Sequence, residues 1–196
     1  MKLSSWPVSL LLGSLLLCVW VSETTAQRNW YRVISPDRDF TVEFPDEPEY
    51  VFRPNPENGY GTGVFRTIFG QYALEARYQE VTPAPKTEEE ITKFLTMTKE
   101  WHREAWNRLG SRETRIADLP GGGYEADGLG QTRDGRPKYT RMRTYFRGSR
   151  VYVVSCISTS RSGLGGPVVD RFLDSFRFIK TSIGNTNKGR KGRVQR

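Results

Sequence analysis

Three short turn signals limit what this chain can fold into more than any other feature. Gly70-Gln71, Asp134-Gly135 and Gly148-Ser149 each stand between stretches of alternating apolar and polar residues. Turns this short join antiparallel neighbours, because a parallel pair needs a crossover of a dozen residues or more. The first turn predicts a register between strands at 64–69 and 72–81. Phe69 falls opposite Tyr72, Thr67 opposite Leu74 and Phe65 opposite Ala76. One face then gathers Phe65, Phe69, Tyr72, Leu74 and Tyr78, while Arg66 lies across from Glu75 on the other.

Between the first and second turn signals the period changes from 2 to 3.6. Thr87 with Glu90 three residues on is a capping box, Glu88 and Glu89 suit the positive end of a helix, and Gly110 is a natural stop. At 100° per residue Ile91, Phe94, Leu95, Thr98, Trp101, Ala105 and Leu109 share a face, with His102 in its middle and Trp106 at its edge. That face is expected in the core, and the opposite one, with Glu89, Lys93, Glu100, Arg103, Glu104 and Asn107, in water. Further strands are expected at 30–34 and 40–44 before the first turn, and at 124–131, 138–147, 150–158 and 176–179 later. A short helix opens at Pro167. Strands, a helix, more strands, then a helix and a strand describe an α+β domain. Its architecture is an antiparallel sheet flanked by one long and one short helix.

Residues 1–26 read as a secretory signal peptide. Lys2 precedes an apolar run over 8–21, and Thr24 and Ala26 are small residues set for cleavage before Gln27. The run is shorter than the ~20 apolar residues that span a bilayer. Leu15-Leu16-Leu17-Cys18 keeps lipidation of Cys18 open as a second outcome, although Leu17 stands where a small residue belongs. The expectation is an exported protein of the periplasm, cell surface or extracellular space, with no transmembrane span after signal removal. One domain over 27–180 follows, then a tail over 181–196. The chain's net charge is +8, and Lys188, Arg190, Lys191, Arg193 and Arg196 stand in that tail without an acid. So little apolar content cannot offset the entropy of ordering, so the tail is expected to be disordered. With Cys18 in the signal, Cys156 has no internal partner and reads as a small buried hydrophobe.

Three patches carry a family resemblance. They are Phe40-x-Val42-x-Phe44-Pro45-x-x-Pro48, then Arg143-x-Tyr145-x-x-Gly148-x-Arg150-x-Tyr152, and Phe172-Leu173-Asp174-Ser175-Phe176. Together, over residues 30–180, they resemble the PsbP/DcrB-like group of exported proteins. The resemblance implies a PsbP-like sandwich, an antiparallel sheet flanked by helices. PsbP-type members assist an oxygen-evolving photosystem, and many bacterial members have no known role. No photosystem-specific feature is present, so that role is not carried over.

No catalytic motif, phosphate loop, zinc-type cysteine spacing or specific nucleic-acid motif occurs, and no cofactor is implied. The Gly148-Ser149 turn places Tyr145 opposite Tyr152, Arg143 opposite Val154 and Arg141 opposite Cys156. Tyr139, Arg141, Arg143, Tyr145 and Arg147 form a stripe on one sheet face, and the other face, with Met142, Phe146, Val151, Val153 and Ile157, is expected to be the better core. The stripe is either a polyanion contact, since guanidinium forks suit oxyanions and tyrosines stack, or a polar face whose arginines pair with Glu125 and Asp127. His102 beside Trp106 is either a ligand-contacting group in a cleft or a helix histidine packed on the sheet. The candidate contact residues are therefore Arg141, Arg143, Tyr145, Tyr152, His102 and Trp106. Three functions stay open: a non-catalytic envelope domain that binds a partner protein or assists an assembly, a polyanion-binding surface protein, and an enzyme whose site is scattered in sequence.

Overall fold

The computed structural model describes residues 29–54, 61–120 and 122–179. The expected signal peptide at 1–26, most of the loop at 54–59 and the basic tail at 181–196 lie outside the described residues. The fold belongs to the unit that begins at Tyr31. It opens with β1 (Tyr31–Ile34), β2 (Phe40–Phe44), β3 (Glu49–Pro54), β4 (Gly61–Phe69) and β5 (Tyr72–Glu80). The long helix α1 (Glu88–Arg108) follows, then β6 (Arg112–Asp118), β7 (Tyr124–Gln131), β8 (Pro137–Arg147) and β9 (Arg150–Ser158). A 3-10 turn (Ser162–Gly165), α2 (Pro167–Ser175) and β10 (Arg177–Phe178) complete it. This is the expected α+β class.

The strands form two antiparallel sheets, a three-stranded one ordered β1-β2-β10 and a seven-stranded one ordered β3-β4-β5-β9-β8-β7-β6. The large sheet is two meanders, β3-β4-β5 and β6-β7-β8-β9, zipped together by β5 and β9 from Tyr72↔Ser158 to Glu80↔Arg150. The predicted registers hold: Phe69↔Tyr72, Thr67↔Leu74 and Phe65↔Ala76 in one hairpin, and Tyr145↔Tyr152, Arg143↔Val154 and Arg141↔Cys156 in another. Arg66 does lie opposite Glu75, but its ion pair goes to Glu49 on β3, at 2.9 Å. Neither β3 nor β6 was expected, since their mixed charged sequences lack a clean apolar alternation.

Each face of the large sheet has its own core. On one side the small sheet and α2 press Phe40, Val42, Phe44, Phe172, Leu173 and Phe176 onto Leu74, Ala76, Tyr78, Tyr152, Val154 and Cys156, all buried. Each such large side chain contributes about 1.5–3 kcal/mol by leaving water. On the other side Leu95 and Trp106 of α1 pack on Tyr124, Ala126, Met142 and Val153. This corrects the reading of the Arg/Tyr stripe as the solvent side. Strands β8 and β9 are covered on both faces, because β1, β2, β10 and α2 make a separate layer over the stripe. Ile157, expected in the core, is 36% exposed instead.

The helix is capped as expected, with the Thr87–Glu90 box complete, but its buried face is rotated. Of the expected face, Leu95, Thr98 and His102 do lie inward, but Trp101 is 66% and Leu109 68% exposed, and Trp106, expected at the edge, faces the sheet. Two features choose this arc. Lys99 pairs with Asp118 at 2.5 Å and Arg103 with Glu113 at 3.5 Å, drawing α1 toward β6. Gly128 on β7 offers no side chain, and the Trp106 ring fills the notch: a Cβ at Gly128 would lie 3.0 Å from it.

Candidate functional site

The six candidate residues form two groups on opposite faces of the large sheet. Arg141, Arg143, Tyr145 and Tyr152 lie on the α2 side; His102 and Trp106 belong to α1 and face the sheet from the other side.

In the first group the register does the positioning. Arg141 and Arg143 on β8 stand directly across from Asp127 and Glu125 on β7. Arg143 donates to Glu125 at 2.8 Å and to Asp174 of α2 at 2.7 Å. Arg141 donates to Asp127 at 3.0 Å and lies 3.6 Å from Asp170 of α2. Arg115 on β6 adds contacts to Glu125 at 3.2 Å and Asp127 at 3.7 Å. Burial works against the Arg143 charge, yet its carboxylate partners Glu125 and Asp174 outweigh it and raise its pKa. Of the two readings of the stripe, the pairing with Glu125 and Asp127 is the one observed. A polyanion would have to displace two carboxylates from each guanidinium.

Tyr145 stacks on Phe176 with ring centroids 5.1 Å apart and planes at 11°. Tyr152 packs edge-on against Phe40 at 5.7 Å and Phe178 at 5.0 Å, and its hydroxyl donates to Asp39 at 3.2 Å. Burial first, then the Asp39 charge, raises the Tyr152 pKa. These tyrosines join the two sheets: Tyr152 is buried, and Tyr145 has one ring face taken by Phe176.

Sequence reasoning missed Arg150. Its Nε contacts Glu80, and its Nη1 contacts Asp39 and also Asp37, the last at 2.8 Å. Ser149 donates to Glu80 at 2.8 Å. Together with Arg147 and Tyr152 these residues line an open cleft of about 400 Å³. The signal that could have found it is the Glu80↔Arg150 pairing, which needs the strand order. Three carboxylates surround Arg150, so the cleft's chemistry is that of a filled ion cluster.

In the second group Nδ1 of His102 is hydrogen-bonded to the Tyr124 hydroxyl. Burial pushes the Tyr124 pKa up to about 12. Burial also pushes the His102 pKa down to about 4, with the Arg77 charge adding to it. With His102 neutral and protonated on Nε2, the Tyr124 hydroxyl donates to Nδ1. Trp106 covers Gly128. Cys156 is buried and unbridged, with burial pushing its thiol to about 12. Among the described residues no group of three His, Cys, Asp or Glu is placed to hold a metal, and no helix is long and apolar enough to cross a membrane.

No family model matches the chain, and no curated protein matches it. It is similar to solved structures. A cyanobacterial PsbP (CyanoP) from Synechocystis sp. PCC 6803 is 14% identical at TM-score 0.49, the match covering 80% of this chain and 96% of that one. LpqN, involved in cell envelope biogenesis of Mycobacterium tuberculosis, is 10% identical at TM-score 0.41, over 76% and 90%. PA94, a protein of unknown function from Pseudomonas aeruginosa, is 12% identical at TM-score 0.40, over 70% and 87%. These likenesses concern the fold alone.

Proposed function

We propose that the chain is an exported binding domain with no chemistry of its own, and that it engages a protein partner through the flank of α1 that carries Met97 and Trp101. One observation supports this above the rest. Trp101 is 66% exposed and Met97, one turn before it, 55%. An indole and a thioether held in water on an ordered helix are the residue types that anchor protein interfaces. The opposite flank of α1 is engaged with β6 through Lys99 and Arg103. On β5, Arg77 lies on the α1 side of the sheet, close enough for its charge to act on His102, and it pairs with Glu75 at 3.6 Å.

In this reading the arginines at 141 and 143 and the tyrosines at 145 and 152 hold the two layers together, while His102 and Trp106 seat α1. The apolar run and cleavage residues in 1–26 support export. The test is a photo-cross-linking amino acid placed at Met97, Trp101 or Arg77, and at Glu100 as a control, in chain recovered from the compartment that receives it. The expected result is one common adduct from the first three positions and none from Glu100. Equal labelling at all four, or no adduct at any, overturns the proposal.

A further inference from the structure

The antiparallel topology sorts the charges of the large sheet onto its two ends. The β4–β5 turn, the β7–β8 turn, the passage from α1 to β6 and the exit of β9 all share one end. The β8–β9 turn and the passage from β5 to α1 share the other. The first end carries Arg108, Arg112, Arg133, Arg136, Lys138 and Arg161. Arg136 is paired with Asp134 at 2.6 Å; the other five form no ion pair among the described residues. The far end carries Asp37, Asp39 and Glu80 around Arg150, and Glu88, Glu89 and Glu90 in the first turn of α1, beside Lys86.

The basic end also holds protruding aliphatic side chains. Ile68, beside the β4–β5 turn, is 78% exposed, Leu109 at the end of α1 is 68%, and Ile157 is 36%. Between the two hairpin tips lies a cavity of about 380 Å³ with Ile68, Ala73 and Ile157 on its apolar side and Lys138, Thr132 and Ser158 on its polar side. Lys138 is half-buried there without a carboxylate. An unpaired ammonium beside an isoleucine floor suits a ligand that is anionic and aliphatic at once.

We propose that this end is a docking face for a membrane surface rich in anionic lipid, with Ile68 and Leu109 entering the headgroup layer and Arg133 and Lys138 contacting phosphates. Basic residues gain attraction at an anionic leaflet, and aliphatic side chains gain by burial in it. A soluble polyanion such as a nucleic acid or sulfated glycan offers no interior for Ile68 or Leu109. The large exposed apolar residues at this end are aliphatic, where a nucleic-acid strand would be held by stacking aromatics. This face is separate from the Met97–Trp101 flank and stands if that assignment fails.

The experiment is co-sedimentation of the full exported chain with phosphatidylcholine vesicles, with and without about a third phosphatidylglycerol, across a salt series. Binding is expected only with the anionic lipid. Arg133→Ala with Lys138→Ala weakens it about 25-fold, about five-fold per charge. The charge-matched pair Arg53→Ala with Lys93→Ala, away from this end, changes it by less than about two-fold. Ile68→Ser with Leu109→Ser weakens binding at high salt as well as low, and Trp101→Ala leaves it unchanged. Equal losses from the two charge pairs overturn the proposal, because charge would then act from anywhere on the chain. So does retention on heparin that needs Arg133 and Lys138 while anionic vesicles go unbound, which would mark a soluble polyanion as the partner.

Discussion

Two tryptophans five residues apart on one helix have opposite surroundings. Trp106 fills the notch over Gly128 while Trp101 stands in water. Trp106→Ala should cost about 3 kcal/mol in a denaturant titration and Trp101→Ala less than about 0.5 kcal/mol. Equal losses would mean that α1 sits on its other arc. The arginine clamp gives a second comparison. Arg143→Ala leaves Glu125, whose side chain is only 11% exposed, with Arg115 as its remaining partner. A loss of about 2 kcal/mol is expected, below that of a fully orphaned buried charge. Asp174→Ala removes a carboxylate that is 61% exposed and should cost less than about 0.5 kcal/mol. If the two losses are alike, the charge of Glu125 is not what makes Arg143 matter.

Helix α1 is where pH should act on stability. His102 in the folded chain titrates at about 4, below its ordinary 6.5, mainly through burial. A depressed histidine contributes stability that is complete above pH 6.5, declines as pH falls toward 4 and is gone below it. The loss should be about 2 kcal/mol. It should disappear in His102→Gln, read as the midpoint of urea unfolding against pH. A wild-type profile identical to that of the variant would show that His102 does not titrate with folding. At this scale the sequence was legible where a local pattern decides: the hairpin registers and the capping box of α1 follow from neighbours in the chain. The buried arc of α1 was legible only in part, because its apolar residues fill two adjacent arcs, of which the one with Leu95 and Thr98 lies inward and the one with Trp101 and Leu109 in water. Ion pairs to β6 and a glycine on β7, both distant in sequence, choose between them. The candidate arginines were legible as a stripe, and even their partners Glu125 and Asp127 could be named. The covering layer could not, since nothing local says that β2 and α2 come to rest on them.

Over the whole molecule, Cys156 lies on the buried α2 face of β9, the strand that joins the two meanders, and is fully buried with its thiol pushed to about 12. A thiol reagent should leave the native chain untouched at neutral pH and label it only as fast as the sheet opens. Labelling as fast as that of an unfolded control would show that β9 is not held as described. The joint of β5 and β9 also bears on how the chain comes to be finished. Seventy residues separate the last residue of β5 from the Arg150 it meets, Glu80↔Arg150, and the small sheet needs β10, the last strand among the described residues, to flank β2. A chain emerging N-terminus first from a translocation pore would therefore present β5 as a bare edge, with Phe40, Val42 and Phe44 uncovered, until nearly all of it had arrived. Such late, long-range closure is slow and prone to sticking. A chain cut short before β9 should be lost to aggregation or proteolysis instead of persisting as a smaller domain.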